Sequence, residues 1–282
     1  MTSSKFFVTT LAVVSGLLIT SCGPQNPPVV TREKGKQPDS VLVYKYFNKT
    51  GQKELLYKNT YQYDAAGNAI LVIEGETKYV RTYDAVGNKT SEIQYYQVSG
   101  KSEWYEEYLL TYVYNELYRV IQTTRFNPAN ENGTRDTSAV VNTEWKDYYH
   151  SHSKQYNYLK KSGGEFGKSL AFVWDTYYTD FGKLEKQVTY DIHPDSTLSE
   201  LYHNNYTYDE HHNLIRYSQY MTQQNELSIS QAYEYTYDEE GTIRSAVRKD
   251  WDKDGKPKYD FELHYVYYYP ETKNAGSHLR QK

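Results

Sequence analysis

Aromatic and polar positions alternate with a period of two in the C-terminal part of the chain. The aromatic or apolar positions are Tyr259, Phe261, Leu263, Tyr265 and Tyr267. The intervening positions 260, 262 and 264 are polar, and residues 233–237 alternate in the same way. Successive side chains of a β-strand point to opposite faces of a sheet, so this pattern predicts strands with one aromatic face and one polar face.

Turn signals divide the chain into units of about thirty residues. The sequence Tyr-x-Tyr-Asp-x-x-Gly-Asn occupies residues 61–68, and a close copy occupies residues 82–88. Weaker copies lie at 112–115, 178–182, 206–213 and 235–241. Glycine and asparagine tolerate the positive φ of a tight turn, and a second turn signal falls between successive copies. Each unit therefore predicts two strands joined by tight turns.

Tandem hairpins of this kind predict an all-β fold with one large antiparallel sheet of about sixteen strands. Open sheets rarely exceed about ten strands without curling, so we expect a twisted, curled sheet in the form of an open barrel or a spiral. The chain has 34 tyrosines against 8 phenylalanines and 2 methionines. We therefore expect tyrosines to supply the core on the concave face.

The N-terminus has the pattern of a cleavable lipoprotein signal peptide over residues 1–21. Lys5 precedes an apolar segment, residues 6–19, that is too short to span a bilayer comfortably. The following Thr20, Ser21 and Cys22 resemble a lipobox, which predicts lipid attachment at Cys22. An ordinary signal peptide with an incidental cysteine is the alternative. Cys22 is the only cysteine, so no intramolecular disulfide can form.

Residues 22–40 are rich in proline, glycine and charge and predict a flexible tether. The repeat domain is predicted over 41–270 and a C-terminal tail over 271–282. Through the N-terminal lipid we expect the protein to be anchored to the outer membrane, because Gly23 stands where, by resemblance to enterobacterial lipoproteins, aspartate would signal inner-membrane retention. No acidic run that resembles a surface-export signal follows, which slightly favours the periplasmic face over the cell surface. The formal net charge of −4 gives no indication of nucleic-acid binding.

The Tyr-x-Tyr-Asp-x-x-Gly-Asn units resemble the YD repeats of the Rhs and teneurin class. This class builds a long, coiling antiparallel sheet from tandem hairpins, and the resemblance implies the same here. The whole chain resembles the short YD-repeat lipoproteins of Bacteroidetes-type bacteria more than a true Rhs toxin. The Rhs class has many more repeats around a C-terminal toxin. This chain has about eight units and ends at Lys282, so the resemblance does not imply a toxin-delivery role.

Two groups of residues have the composition of a metal site. The segment 250–255 has the Asp-x-Asp-x-Asp-Gly spacing of a calcium loop, with Asp250, Asp252 and Asp254 as weak candidate ligands. Position twelve of that loop is Phe261 rather than glutamate, and an ordinary hairpin turn explains the same residues. Six histidines could supply zinc ligands, although exposed strand histidines are the more common outcome. They are His150, His152, His193, His203, His211 and His212.

No motif with a catalytic mechanism occurs, so we predict a protein that is not an enzyme and has no cofactor. A scaffold or protein-interaction module of the cell envelope is the first hypothesis. The alternative is a glycan-binding lipoprotein, and an enzyme acting on envelope polysaccharide is third. Exposed tyrosines could stack on sugar rings, although most tyrosines are expected in the core. The candidate stacking residues are Tyr233, Tyr235, Tyr237, Tyr265 and Tyr267.

Overall fold

The computed structural model describes residues 37–160, 166–223, 226–239 and 241–269, which form antiparallel β-strands joined by turns. The strands are β1 (Ser40–Phe47), β2 (Lys53–Tyr63), β3 (Ala69–Glu74), β4 (Thr77–Tyr83), β5 (Lys89–Gln97), β6 (Trp104–Tyr114), β7 (Val120–Phe126), β8 (Thr137–Trp145), β9 (His150–Lys160), β10 (Phe166–Tyr178), β11 (Leu184–Ile192), β12 (Leu198–Tyr208), β13 (Leu214–Gln223), β14 (Glu226–Tyr237), β15 (Ile243–Asp250) and β16 (Phe261–Tyr268). The prediction of an all-β fold built from antiparallel hairpins is confirmed. The predicted signal peptide and the C-terminal tail lie outside the described residues.

The sheet closes on itself, because β1 pairs with β16 as well as with β2. The pairing runs from Ser40 opposite Tyr268 to Phe47 opposite Phe261. The expectation of an open barrel or spiral is therefore wrong. Two open edges would each leave a row of backbone N–H and C=O groups without partners, and closure pairs them with each other.

The repeated turns are five-residue loops that begin at the aspartate of most units, and at Asn115 and Thr179 in two of them. In the first loop the amide of Asp64 donates to the carbonyl of Asn68, and Gly67 adopts a φ of 87°. The Asp64 carboxylate accepts the Asn68 amide at 2.8 Å and the Asn68 side-chain Nδ2 at 2.9 Å. The strand register shifts by one residue at Tyr63, directly before the loop. This bulge and the positive φ explain why glycine and asparagine recur at these positions.

The inner face of the barrel carries a tyrosine-rich core. Contacts between rings follow the cross-strand register, from Tyr206 to Tyr217 at 5.3 Å between centroids and from Tyr217 to Tyr233 at 5.9 Å. Tyr233 also contacts Tyr265 at 5.8 Å across the intervening strand β15, on which Tyr233 lies opposite Arg248 and Tyr265 lies opposite Ala246. Stacked and tilted aromatic pairs of this kind add to the free energy of burial. The expectation that tyrosines supply the core is confirmed where β12, β13, β14 and β16 contribute to the inner face.

A buried ion pair lies on the inner face at β4 and β5. The Arg81 Nε atom donates to a carboxylate oxygen of Glu92 at 2.7 Å, and Lys89 reaches the same oxygen at 3.1 Å. The opposite charges compensate one another in a region from which water is largely removed. Tyrosine rings surround this pair, with the Lys89 ammonium 4.6 Å from the ring centroid of Tyr112.

The outer face is polar over β12, β14 and β15, as the alternation predicts. Over β3 to β7 it also carries a cross-strand row of apolar side chains: Leu71, Val80, Ile93, Leu109 and Phe126. Thr207 and Thr236 are exposed at outward positions between inward tyrosines. The Lys249 ammonium forms an ion pair of 3.1 Å with Glu234 on the neighbouring strand. Charged pairs at mid-strand are the signature of a sheet face in contact with water.

Candidate functional site

Three of the five tyrosines predicted as ligand-stacking residues are buried in the core. Tyr233 is 3% exposed, Tyr265 1% and Tyr267 8%. Tyr235 and Tyr237 are partly buried, and the Tyr237 hydroxyl donates to the backbone carbonyl of Leu214 at 2.8 Å. The prediction that these rings offer a stacking surface is corrected for the three buried residues. Cys22, the predicted site of lipid attachment, lies outside the described residues.

The aspartates of the calcium candidate serve local structure. Asp250 accepts hydrogen bonds from the guanidinium of Arg248, the shortest at 2.8 Å. Asp252 accepts the backbone amides of Asp254 and Lys256, both at 2.9 Å, as the aspartates of the other turns do. Among the described residues no group of three or more histidine, cysteine, aspartate or glutamate side chains is arranged to hold a metal ion. The geometry thus favours the alternative of an ordinary hairpin turn.

Two of the six candidate histidines converge on one carboxylate of the outer face. The Nδ1 atom of His152 lies 2.8 Å from Asp175 Oδ1, and the Nε2 atom of His150 lies 3.2 Å from the same oxygen. The hydroxyl of Tyr190 also hydrogen-bonds Asp175. Partial burial alone would raise the pKa of the Asp175 carboxyl, but these three hydrogen bonds outweigh it and hold the pKa below its usual value.

A groove of about 610 Å³ lies beside this network on β10, β11 and β12. A groove of this volume lies within the usual range for small-ligand sites. Val188 is 5% exposed and forms its apolar floor. The side chains that surround the floor are polar or aromatic: Tyr177, Glu185, Lys186, Tyr190, Glu200, Asn205 and Thr207.

One wall of the groove is the ring of Tyr177 on β10. This ring stacks on His150 of β9, with 4.6 Å between centroids and 7° between planes. On the neighbouring strand β11, the residue directly opposite Tyr177 is Lys186. Because one face of the ring is covered by His150, the opposite face is turned toward β11 and the groove.

The opposite wall comes from β12 and carries hydrogen-bonding groups. Glu200 pairs with Tyr190 across the strands, and Asn205 pairs with Lys186. The Glu200 carboxylate hydrogen-bonds Nδ1 of His203 at 2.5 Å, which fixes its orientation. Burial, followed by the hydrogen bond to Asp175, raises the pKa of Tyr190, so its phenol stays protonated. The groove thus combines aromatic surface with fixed hydrogen-bond donors and acceptors.

A second depression, of about 670 Å³, lies at the rim between two of the repeated turns. Its acidic residues include Asp209 and Asp238. Asp209 accepts the backbone amide of Asn213, and Asp238 accepts that of Thr242, both at 2.7 Å. These carboxylates are therefore already occupied in stabilising their own turns.

Sequence reasoning identified His150, His152 and His203 but missed the residues that they orient. Asp175 and Tyr177 lie two positions apart and therefore share a face of β10. That alternation was the available signal, yet this strand lies where copies of the repeat are weakest. The contact between β9 and β10 depends on their register, which places Asp175 opposite His152 and Tyr177 opposite His150.

Comparisons with known proteins show only distant similarity. No family model matches the chain, and no curated protein matches it. A protein of unknown function from Bacteroides fragilis is 14% identical, with 45% of this chain and 89% of that chain covered and a TM-score of 0.34. A DUF3836 family protein from Parabacteroides distasonis is 16% identical over 34% of this chain and 90% of that one, with a TM-score of 0.27.

A porin-like protein from Bacteroides uniformis is 12% identical, with 84% of this chain and 99% of that chain covered and a TM-score of 0.30. All three TM-scores are below 0.5, so these similarities carry no argument about function. Within the described part of the chain, no helix is long and apolar enough to cross a membrane.

Proposed function

We propose that this protein is a non-catalytic interaction module of the bacterial cell envelope, anchored by lipid on Cys22, and that the outer-face groove beside Asp175 is its contact surface. The observation that carries the proposal is the groove itself. It is a concave site on a polar face, with an aromatic wall and hydrogen-bonding side chains that are oriented in advance. Concave sites in which polar groups are placed in advance fix the orientation of a ligand better than a flat sheet surface does.

The rest of the barrel supports this role by holding the groove rigid. Strands β9 to β13 are each paired on both sides, so the backbone beneath the groove has two neighbours throughout. His150 and His152 hold Asp175, and Asp175 in turn holds Tyr190. A site that is held in place before binding loses less conformational entropy when its ligand arrives.

Site-specific photo-crosslinking in cells tests the proposal. A photoreactive amino acid is incorporated at Thr207, which is exposed and lines the groove. The matched control position is Gln62, which is exposed between Tyr61 and Tyr63 as Thr207 is between Tyr206 and Tyr208. We expect crosslinks to envelope material from position 207 and not from position 62. Equal crosslinking at the two positions, or none at 207, would contradict the proposal.

The anchor is tested separately, because it rests on the sequence alone. Cys22→Ser removes the thiol that would carry the lipid. We expect the unaltered chain to fractionate with outer membranes and to incorporate labelled fatty acid, and the variant to do neither. Protease treatment of intact cells then distinguishes the periplasmic face, which we favour slightly, from the cell surface.

We further infer that the hairpins belong to the YD-repeat class. The support is the recurrence of one arrangement, a loop whose first residue accepts amides and whose preceding aromatic residue donates to a neighbouring strand. The Tyr208 and Asp209 unit shows both features, and the Tyr237 and Asp238 unit repeats them. A family model built from proteins with this spacing tests the inference, which fails if such a model does not recover the chain.

A further inference from the structure

We propose that the ligand of the outer-face groove is a saccharide, with Tyr177 as the stacking residue. This inference deepens the proposed function and rests on it. The geometry points to this ligand class because the groove offers an upright aromatic face above an apolar floor, with polar groups at the opposite wall.

The first step of the argument is the orientation of Tyr177. His150 lies parallel to one face of its ring at 4.6 Å, and Asp175 holds His150 from the next register position. The tyrosine ring therefore stands against an aromatic support, and it is half-buried and lines the groove. A pyranose ring has an apolar face of C–H groups that can stack on such a surface.

The second step is the distribution of polar groups. Glu200 contributes carboxylate acceptors, Asn205 an amide with both donor and acceptor atoms, and Lys186 an ammonium donor. Tyr177 and Asn205 lie on β10 and β12, two strand spacings apart, which is about 9.6 Å. Sugar hydroxyls at the edge of a stacked ring can therefore reach these groups.

The third step compares a saccharide with a peptide partner. A peptide strand binds by pairing with the free edge of a sheet. Beside the groove, β10 is paired with both β9 and β11 from Val173 to Tyr177, so the backbone there offers no free edge. A helical peptide needs a groove lined by apolar side chains. Val188 is the one aliphatic side chain of this groove, and polar groups dominate the remainder. The lining therefore favours a ligand covered with hydroxyl groups.

Calorimetric titration of the purified full chain with a panel of soluble oligosaccharides tests the proposal. The panel contains oligomers of glucose, mannose, galactose, N-acetylglucosamine and uronic acids. We expect at least one to bind, and Tyr177→Ala to weaken that binding by about tenfold or more. Tyr177→Phe keeps the ring and is expected to retain affinity. The control Tyr44→Ala removes another tyrosine of the outer face, opposite His264 on β16, and is expected to bind as the unaltered chain does.

Circular dichroism and the thermal midpoint establish that each variant is folded. The saccharide proposal is overturned if no oligosaccharide of the panel binds, or if folded Tyr177→Ala binds as tightly as the unaltered chain. Crosslinks from Thr207 to a protein, together with a negative panel, would overturn the saccharide while leaving the interaction module intact. Absence of both crosslinks and saccharide binding would overturn both proposals.

Discussion

The hydroxyl of Tyr237 donates a hydrogen bond of 2.8 Å to the backbone carbonyl of Leu214, the first residue of the preceding strand. The same relationship recurs around the barrel between an aromatic side chain at the end of a strand and a backbone carbonyl earlier in the chain, with the indole N–H as the donor in Trp145. The pairs are Tyr63 with Pro38, Tyr83 with Ala69, Tyr114 with Lys89, Trp145 with Val120, Tyr208 with Leu184 and Tyr269 with Ile243. The hydroxyl, beyond the ring, explains why tyrosine rather than phenylalanine dominates these positions.

Tyr237→Phe should destabilise the barrel through the loss of this one hydrogen bond. The ring and its packing remain, while the Leu214 carbonyl loses a donor in a partly buried position. We expect a decrease of about 0.5–1.5 kcal/mol in the free energy of unfolding, measured by urea denaturation. Tyr259→Phe is the control, since this ring is 43% exposed and should change stability little. Equal effects of the two substitutions would contradict the role of the hydroxyl.

The sequence predicts the strands and turns of this fold better than it predicts closure. Alternation around Tyr265 gives a strand and its faces, and Asp64 with Gly67 gives a turn, because both signals are local. The pairing of β1 with β16 joins residues more than two hundred positions apart, and no local pattern specifies it. The groove escaped prediction for the same reason, since the meeting of His152 with Asp175 requires the register of two strands.

Ala246→Leu should destabilise the core by overpacking. Ala246 is 1% exposed and lies in the register between Tyr235 of β14 and Tyr265 of β16, so a larger side chain must displace at least one of these rings. We expect a loss of about 1–3 kcal/mol by chemical denaturation. Val247→Leu enlarges the next residue, whose side chain lies on the outer face opposite Glu234 and His264. A comparable loss in Val247→Leu would argue against a core that is tightly packed at Ala246.

Asp209→Ala should weaken one of the repeated turns. The Asp209 carboxylate accepts the amides of His211 at 3.0 Å and Asn213 at 2.7 Å. Without it these donors depend on water, and we expect a loss of about 1 kcal/mol in the free energy of unfolding. The control is Asp180→Ala, an exposed aspartate at the second position of the turn that begins at Thr179. If Asp180→Ala costs as much, the effect reflects surface charge rather than the turn.

Glu74 gives the barrel a stability that depends on pH. Burial raises the pKa of the Glu74 carboxyl from 4.5 to about 7, although the charge of Arg81 opposes the shift. Below pH 4.5 the Glu74 carboxyl is protonated in both the folded and the unfolded chain, so its ionisation does not yet reduce the free energy of unfolding. As the pH rises above 4.5 the unfolded chain loses this proton, whereas the folded chain keeps it until the pH reaches about 7. The folded state is therefore destabilised progressively between these values.

Glu74→Gln removes this dependence, because the amide cannot ionise. We expect the variant to match the unaltered chain at pH 4.5 and to exceed its free energy of unfolding at pH 8 by at most about 3 kcal/mol. Denaturation at a series of pH values measures the difference, which should grow between pH 4.5 and 7 and then level off. Glu76→Gln alters an exposed glutamate two residues away and should show no such growth. A gain that is the same at every pH would mean that the amide improves packing, and the buried ionisation of Glu74 would no longer explain it.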